Sequence, residues 1–105
     1  MPLLPHASAS RVVVVTGGSR GFGAAIVRRF AREGCKVIVL DLDVGDENQN
    51  VHYQKADVTK RASWEEALSF SETTYGRLDV VVNNAGRLLK TEDIQGKKSY
   101  TVLHG

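Results

Sequence analysis

The residues best placed to do chemistry are three glycines, and a carboxylate some two dozen positions after them. Gly17, Gly21 and Gly23 fall within TGGSRGFG at 16–23. A diphosphate bound at the start of a helix is held by backbone N–H groups and by the positive end of the helix dipole, and side chains there would obstruct it. Gly17 suits a tight turn, Gly21 a close approach, and Gly23 the packing of a helix on a strand. No Gly-Lys-Ser/Thr follows, so this is not a P-loop. A glycine-rich turn without a ligand would look the same in isolation. The elements on either side favour the phosphate reading.

Asp41 stands where a carboxylate would meet the ribose of an adenosine. It would accept hydrogen bonds from both ribose hydroxyls and repel a 2′-phosphate, which favours NAD over NADP. Arg20 pulls the other way, since a guanidinium in the glycine turn pairs well with a phosphate. Close charge repulsion excludes a ligand more sharply than one mobile arginine recruits it, so NAD is expected and NADP stays open. Asp57 reads either as an acceptor for the adenine amino group, with Val58 packing beside it, or as a plain turn residue. Asn83 and Asn84 carry amides able to tie strand ends together, and Ala85 and Gly86 leave room for a ribose.

These residues need elements to hold them. RVVVV at 11–15 and KVIVL at 36–40 are short, continuous and β-branched, as strands buried on both faces are. AAIVRRFARE at 24–33 places Ile26, Val27, Phe30 and Ala31 on one helical face, and Gly34 ends it. VHYQKA at 51–56 predicts a third strand and LDVVV at 78–82 a fourth. Ser63-x-x-Glu66 has the form of a capping box opening a helix that carries Trp64, Ala67, Leu68 and Phe70 toward the sheet, with Gly76 closing it. The polar stretch 43–50 is too short for the usual crossover helix and predicts a turn. The alternation implies an α/β fold, a Rossmann-type doubly wound parallel sheet in truncated form with strand order 3-2-1-4. The chain reverses direction beside the first strand, and the loops at 17–23, 41, 57 and 83–86 all follow strand C-termini there.

Composition narrows the setting. A chain of 105 residues makes one small domain. Residues 1–10 are expected as a flexible N-terminus, 11–86 as the NAD(P)-binding portion and 87–105 as an atypical tail with little amphipathic period. A net charge of +2, from 14 basic and 12 acidic residues, makes no electrostatic case for nucleic acid or a membrane surface as a partner. The arginines at 28, 29 and 32 read as a solvated helix face. A single cysteine, Cys35, excludes an intrachain disulfide and a cysteine-based metal site, and the three histidines lack ligand spacing. No run approaches the length of a membrane span, and a cytoplasmic setting is expected.

TGGSRGFG at 16–23, LDLD at 40–43, ADVT at 56–59 and NNAG at 83–86 together resemble the short-chain dehydrogenase/reductase family over about residues 10–90. The resemblance implies a Rossmann fold, a nicotinamide dinucleotide, and hydride transfer between an alcohol and a ketone. It implies cofactor contacts from Gly17, Ser19, Arg20, Gly21, Phe22, Asp41, Asp57, Val58 and Asn84, with Gly23, Ala85 and Gly86 shaping the same site and Thr16 bracing the turn against the fourth strand. The family's chemistry uses a Tyr-x-x-x-Lys pair. Here Tyr53, Tyr75 and Tyr100 are followed four positions later by Asp57, Asp79 and His104, so no catalytic residue is assigned.

Two further expectations follow. The chain is read as the cofactor half of such an oxidoreductase, inactive alone, with a dinucleotide-holding module without turnover, or a truncated gene product, as the alternatives. The fourth strand, with no neighbour beyond it, would present an open apolar edge through which the chain associates and which leaves it marginally stable.

Overall fold

The computed structural model describes residues 11–19, 21–45 and 47–84, together with the backbone of 101–104. Arg20, Ala85 and Gly86, named above as site residues, lie outside the described residues. The elements run β1 (Val12–Thr16), α1 (Gly21–Arg32), β2 (Lys36–Asp41), β3 (Val51–Lys55), α2 (Arg61–Thr74), β4 (Val80–Asn83) and β5 (Thr101–His104).

All strand pairs are parallel, and the sheet order is β3-β2-β1-β4-β5. The order 3-2-1-4 expected from the sequence is therefore found, extended by one strand. Valine runs explain the central strands. Alternate side chains point to opposite faces, and a strand covered on both faces needs apolar residues at every position. Val12 and Val14 of β1 with Ile38 and Leu40 of β2 meet Trp64 and Ala67 of α2 on one face. Val13 and Val15 with Val37 and Val39 meet Val27 of α1 on the other. The register Val13↔Val37 and Val15↔Val39 keeps each set in line. Burying such a side chain contributes about 1.5–3 kcal/mol, so the two apolar clusters hold in place the strands whose C-terminal ends carry the candidate site residues.

Gly34 closes α1. It lies at φ +91°, Cys35 N–H donates to the Phe30 carbonyl at 3.0 Å, and Gly34 N–H donates to that of Ala31 at 3.0 Å. That pair of bonds is the Schellman arrangement, which turns the chain sharply into β2.

Two expectations are corrected. The open edge predicted for the fourth strand is occupied: β5 pairs with β4 from Val80↔Thr101 to Asn83↔His104. A four-residue strand lying parallel to β4 has no helical period, so a search for helical periodicity in 87–105 passes over it. Unpaired N–H and C=O groups beside an apolar run are the template it completes. The capping box is also absent. Helix α2 begins at Arg61 with Lys60 at its cap, and Lys60 makes no side-chain cap bond. Asp57 sets that start instead: its Oδ1 accepts from the Thr59 N–H at 2.9 Å and from Thr59 Oγ1 at 2.6 Å, and its carbonyl accepts from Lys60 N–H at 3.0 Å. Ser63 then lies within the first turn, where its carbonyl accepts from Gln54 Nε2 at 3.1 Å.

Between β2 and β3 the described residues form no helix. Asn48 makes a tight turn instead, its Oδ1 accepting from the N–H groups of Asn50 (2.8 Å) and Val51 (3.1 Å).

Candidate functional site

The site is built where β1, β2 and β3 end. Gly17 leaves β1 at φ +68°, a conformation that side chains disfavour, and its N–H donates to the Leu40 carbonyl at 2.9 Å. This keeps the turn over β2. Gly21, at φ +63°, opens α1, and among the described residues nothing beyond its chain neighbours and its own helix lies within 4 Å of where a Cβ would stand, so that side of the helix start is open.

Gly23 acts differently from its expected part in packing helix on strand. A Cβ there would sit 1.9 Å from the Gly17 carbonyl oxygen and 2.7 Å from Asn84 Nδ2. The glycine lets the first turn of α1 close on the turn before it, not on a strand. Gly18 does what was expected of Gly23: its would-be Cβ meets Val27 Cγ2 and Val39 Cγ1, each at 2.8 Å. Sequence reasoning assigned Gly18 no role, although it is the middle residue of a Gly-Gly-Ser turn over a buried valine strand.

Asp41 ends β2 half-buried. Its Oδ2 accepts from the Ser19 N–H at 3.1 Å and its Oδ1 from the Asp43 N–H at 3.2 Å. Burial pushes the carboxyl up, but the hydrogen bonds led by the Asp43 and Ser19 backbone N–H groups outweigh it and hold Asp41 below the ordinary aspartate value. It is therefore a carboxylate at neutral pH.

A cleft of about 220 Å³ joins these loops, with Gly17, Asp41, Leu42, Ala56, Asp57 and Val58 among its walls. Gly17, Asp41, Asp57 and Val58 were expected at one site, and the structure brings them together. Leu42, Ala56 and Thr59 were missed. The signal for Leu42 was its place beside Asp41: it stands 63% exposed at the cleft instead of in the core. Asp57 makes the Thr59 turn and also lines the cleft, so its part in the turn does not remove it from the site. Behind the wall, Trp64 Nε1 donates to the Val58 carbonyl at 2.8 Å and fixes that segment against α2.

Asn84 and Phe22 lie away from these cleft walls. Asn84 Nδ2 donates to the Gly17 carbonyl at 3.1 Å, and its backbone N–H donates to Thr16 Oγ1 at 2.9 Å. Thr16 Oγ1 in turn donates to Asn83 Oδ1 at 3.1 Å, fully buried between β1 and β4. This chain of bonds ties the turn to the end of β4. Phe22 projects from the start of α1 and is 84% exposed.

Comparison with known proteins gives a consistent result. A family model for short chain dehydrogenase matches residues 11–104. The L-fucose dehydrogenase of Rattus norvegicus is 44% identical over 82 residues, covering 72% of this chain and 30% of that protein. Among solved structures, a C-terminal deletion mutant of Thermoplasma acidophilum aldohexose dehydrogenase matches with TM-score 0.67 and 38% identity, over 72% of this chain and 33% of that one. The 3-ketoacyl-(acyl-carrier-protein) reductase from Brucella melitensis, complexed with NADH, matches with TM-score 0.66 and 32% identity, over 72% of this chain and 34% of that one. The chain spans about a third of the length of these relatives.

Proposed function

The chain belongs to the short-chain dehydrogenase/reductase family, and from that premise we propose that its cleft receives the adenosine end of a nicotinamide dinucleotide, NAD ahead of NADP, in an oxidoreductase that passes hydride between an alcohol and a ketone. The observation that carries this is the ionised Asp41 on a cleft bounded by the glycine turn on one side and Asp57–Val58 on the other. The residues fit the group. Leu42, Ala56 and Val58 offer apolar surface to a base, Asp41 offers acceptors to a ribose, and the open side of the α1 start offers backbone donors to a diphosphate. At about 220 Å³ the cleft is smaller than the roughly 300–1,000 Å³ that encloses a whole drug-sized ligand, so it suits one end of the dinucleotide. The reductase from Brucella melitensis, solved with NADH, supports the cofactor class. Bound there, the dinucleotide would supply the hydride acceptor or donor; the residues described here bind and orient it.

A carboxylate and a phosphate about 4 Å apart repel by roughly 1 kcal/mol in bulk water and roughly 4 kcal/mol near a protein surface. Calorimetry should therefore find NAD bound at least about fivefold tighter than NADP, with the preference lost in Asp41→Ala. Equal affinity of the wild type for both would refute the NAD assignment. Binding of neither would refute the site.

A further inference from the structure

Asp41 has both carboxylate oxygens engaged within the protein. Oδ2 takes the Ser19 N–H from the glycine turn, and Oδ1 takes the Asp43 N–H from the connection after β2. Ser19 Oγ donates to the Asp43 carbonyl at 2.5 Å and closes the ring. The Asp41 carbonyl also accepts from Ala56 N–H at 2.8 Å, so the end of β3 joins the same assembly. One residue thus links these segments: its carboxylate joins the turn that would meet phosphate to the connection after β2, and its backbone carbonyl joins both to the end of β3.

We propose that Asp41 is a positioning residue for the phosphate-binding turn, holding the Ser19 amide in place, and does not act on the ligand through its ribose alone. The inference rests on the adenosine-dinucleotide reading of the cleft and adds a second task to the same carboxylate. Physics gives the two tasks opposite signs. By Coulomb's law alone, removing a negative charge beside a diphosphate strengthens its binding. Removing the group that shapes the turn weakens it, because preformed donors lose their aim. A ligand without ribose hydroxyls therefore isolates the positioning role.

The test measures ADP and 2′,3′-dideoxy-ADP binding to the full chain by calorimetry, in wild type, Asp41→Ala and Asp41→Asn. A charge-assisted hydrogen bond is worth more than a neutral one, so Asp41→Ala should lose about tenfold in dideoxy-ADP affinity. Asp41→Asn keeps one acceptor for Ser19 and should lose only about threefold. Dideoxy-ADP bound equally well or better by Asp41→Ala, with ADP binding weakened, would overturn the inference and leave the proposed site standing. Failure of the wild type to bind either nucleotide would overturn both. Should Asp41→Ala not fold, amide hydrogen exchange at Ser19 in Asp41→Asn decides: faster exchange than in wild type supports positioning, and an unchanged rate overturns it.

Discussion

In a Gly23→Ala variant the new Cβ would stand 1.9 Å from the Gly17 carbonyl oxygen, 2.8 Å from its carbon and 2.7 Å from Asn84 Nδ2. The obstacle is mostly backbone, which cannot rotate aside as a side chain can. Two effects oppose each other. Alanine inside a helix is favoured over glycine by about 1 kcal/mol. Against this, forcing a methyl into a closed space costs about 1–3 kcal/mol, and displacing the Gly17 carbonyl loses its bond from Asn84, about 1 kcal/mol more. The net expectation is a loss of about 2 kcal/mol, which for a domain of this size lowers Tm by about 10 °C. Trp64 is the single tryptophan and is 3% exposed, so its fluorescence reports unfolding directly. Urea titration should show a lower midpoint at unchanged slope. ADP binding should weaken as well, because the carbonyl that moves belongs to the turn. A midpoint equal to or above that of the wild type would mean that helix propensity wins, and the close-approach argument for Gly23 would fail.

The remaining predictions concern the ends of β1. Asp79 Oδ2 accepts from the Val12 N–H at 2.8 Å, while Arg77 donates to both carboxylate oxygens at 2.9 and 2.7 Å. Asp79→Ala should cost about 2 kcal/mol by urea titration, since hydrogen bonds to a charged group are worth about 1.5–3 kcal/mol. Burial pushes the Asp79 carboxyl up, but Arg77 and the Val12 N–H outweigh it and hold it low. A carboxyl lower in the folded than in the unfolded state adds stability above its unfolded value, about 3.9, and loses it as pH falls through the folded one. The stability gap between wild type and Asp79→Ala should thus be constant from neutral pH to about 5 and narrow below about 4; a gap that widens on acidification would contradict the assignment. At the other end of the strand, Thr16→Val keeps the shape but takes the acceptor from the Asn84 N–H. A loss of about 1–3 kcal/mol and weaker ADP binding are expected, and a variant indistinguishable in both assays would show that the bridge to β4 does not brace the turn.

Most of the fold was legible in local patterns. The valine run of β1 and the continuous Val-Ile-Val-Leu run of β2 announce strands covered on both faces, and α1 between them shows its apolar stripe and its closing Gly34. Three strands stepping one way and a fourth returning follow from right-handed crossovers, so 3-2-1-4 needed no coordinates. The expected meeting of Gly17, Asp41, Asp57 and Val58 follows from the same rule, because strand C-termini share one edge.

What the residues by themselves determined is a cleft at that edge with a glycine turn and a carboxylate on its walls, since β-branched runs, bare glycines and a strand-end carboxylate act through backbone geometry that each segment carries with it. Only the tertiary structure decided the rest, because each point depends on a partner remote in sequence. Strand β5 exists by pairing with β4; α2 starts where the Asp57 turn and Gln54 set it; Gly18 and Gly23 are required by Val39, Val27, Gly17 and Asn84; and Asp41 is tied to Ser19 across the gap between two strands. A spacing pattern shows that a carboxylate can reach a ribose, but which amide it already holds depends on distances of about 3 Å that only the packed chain establishes.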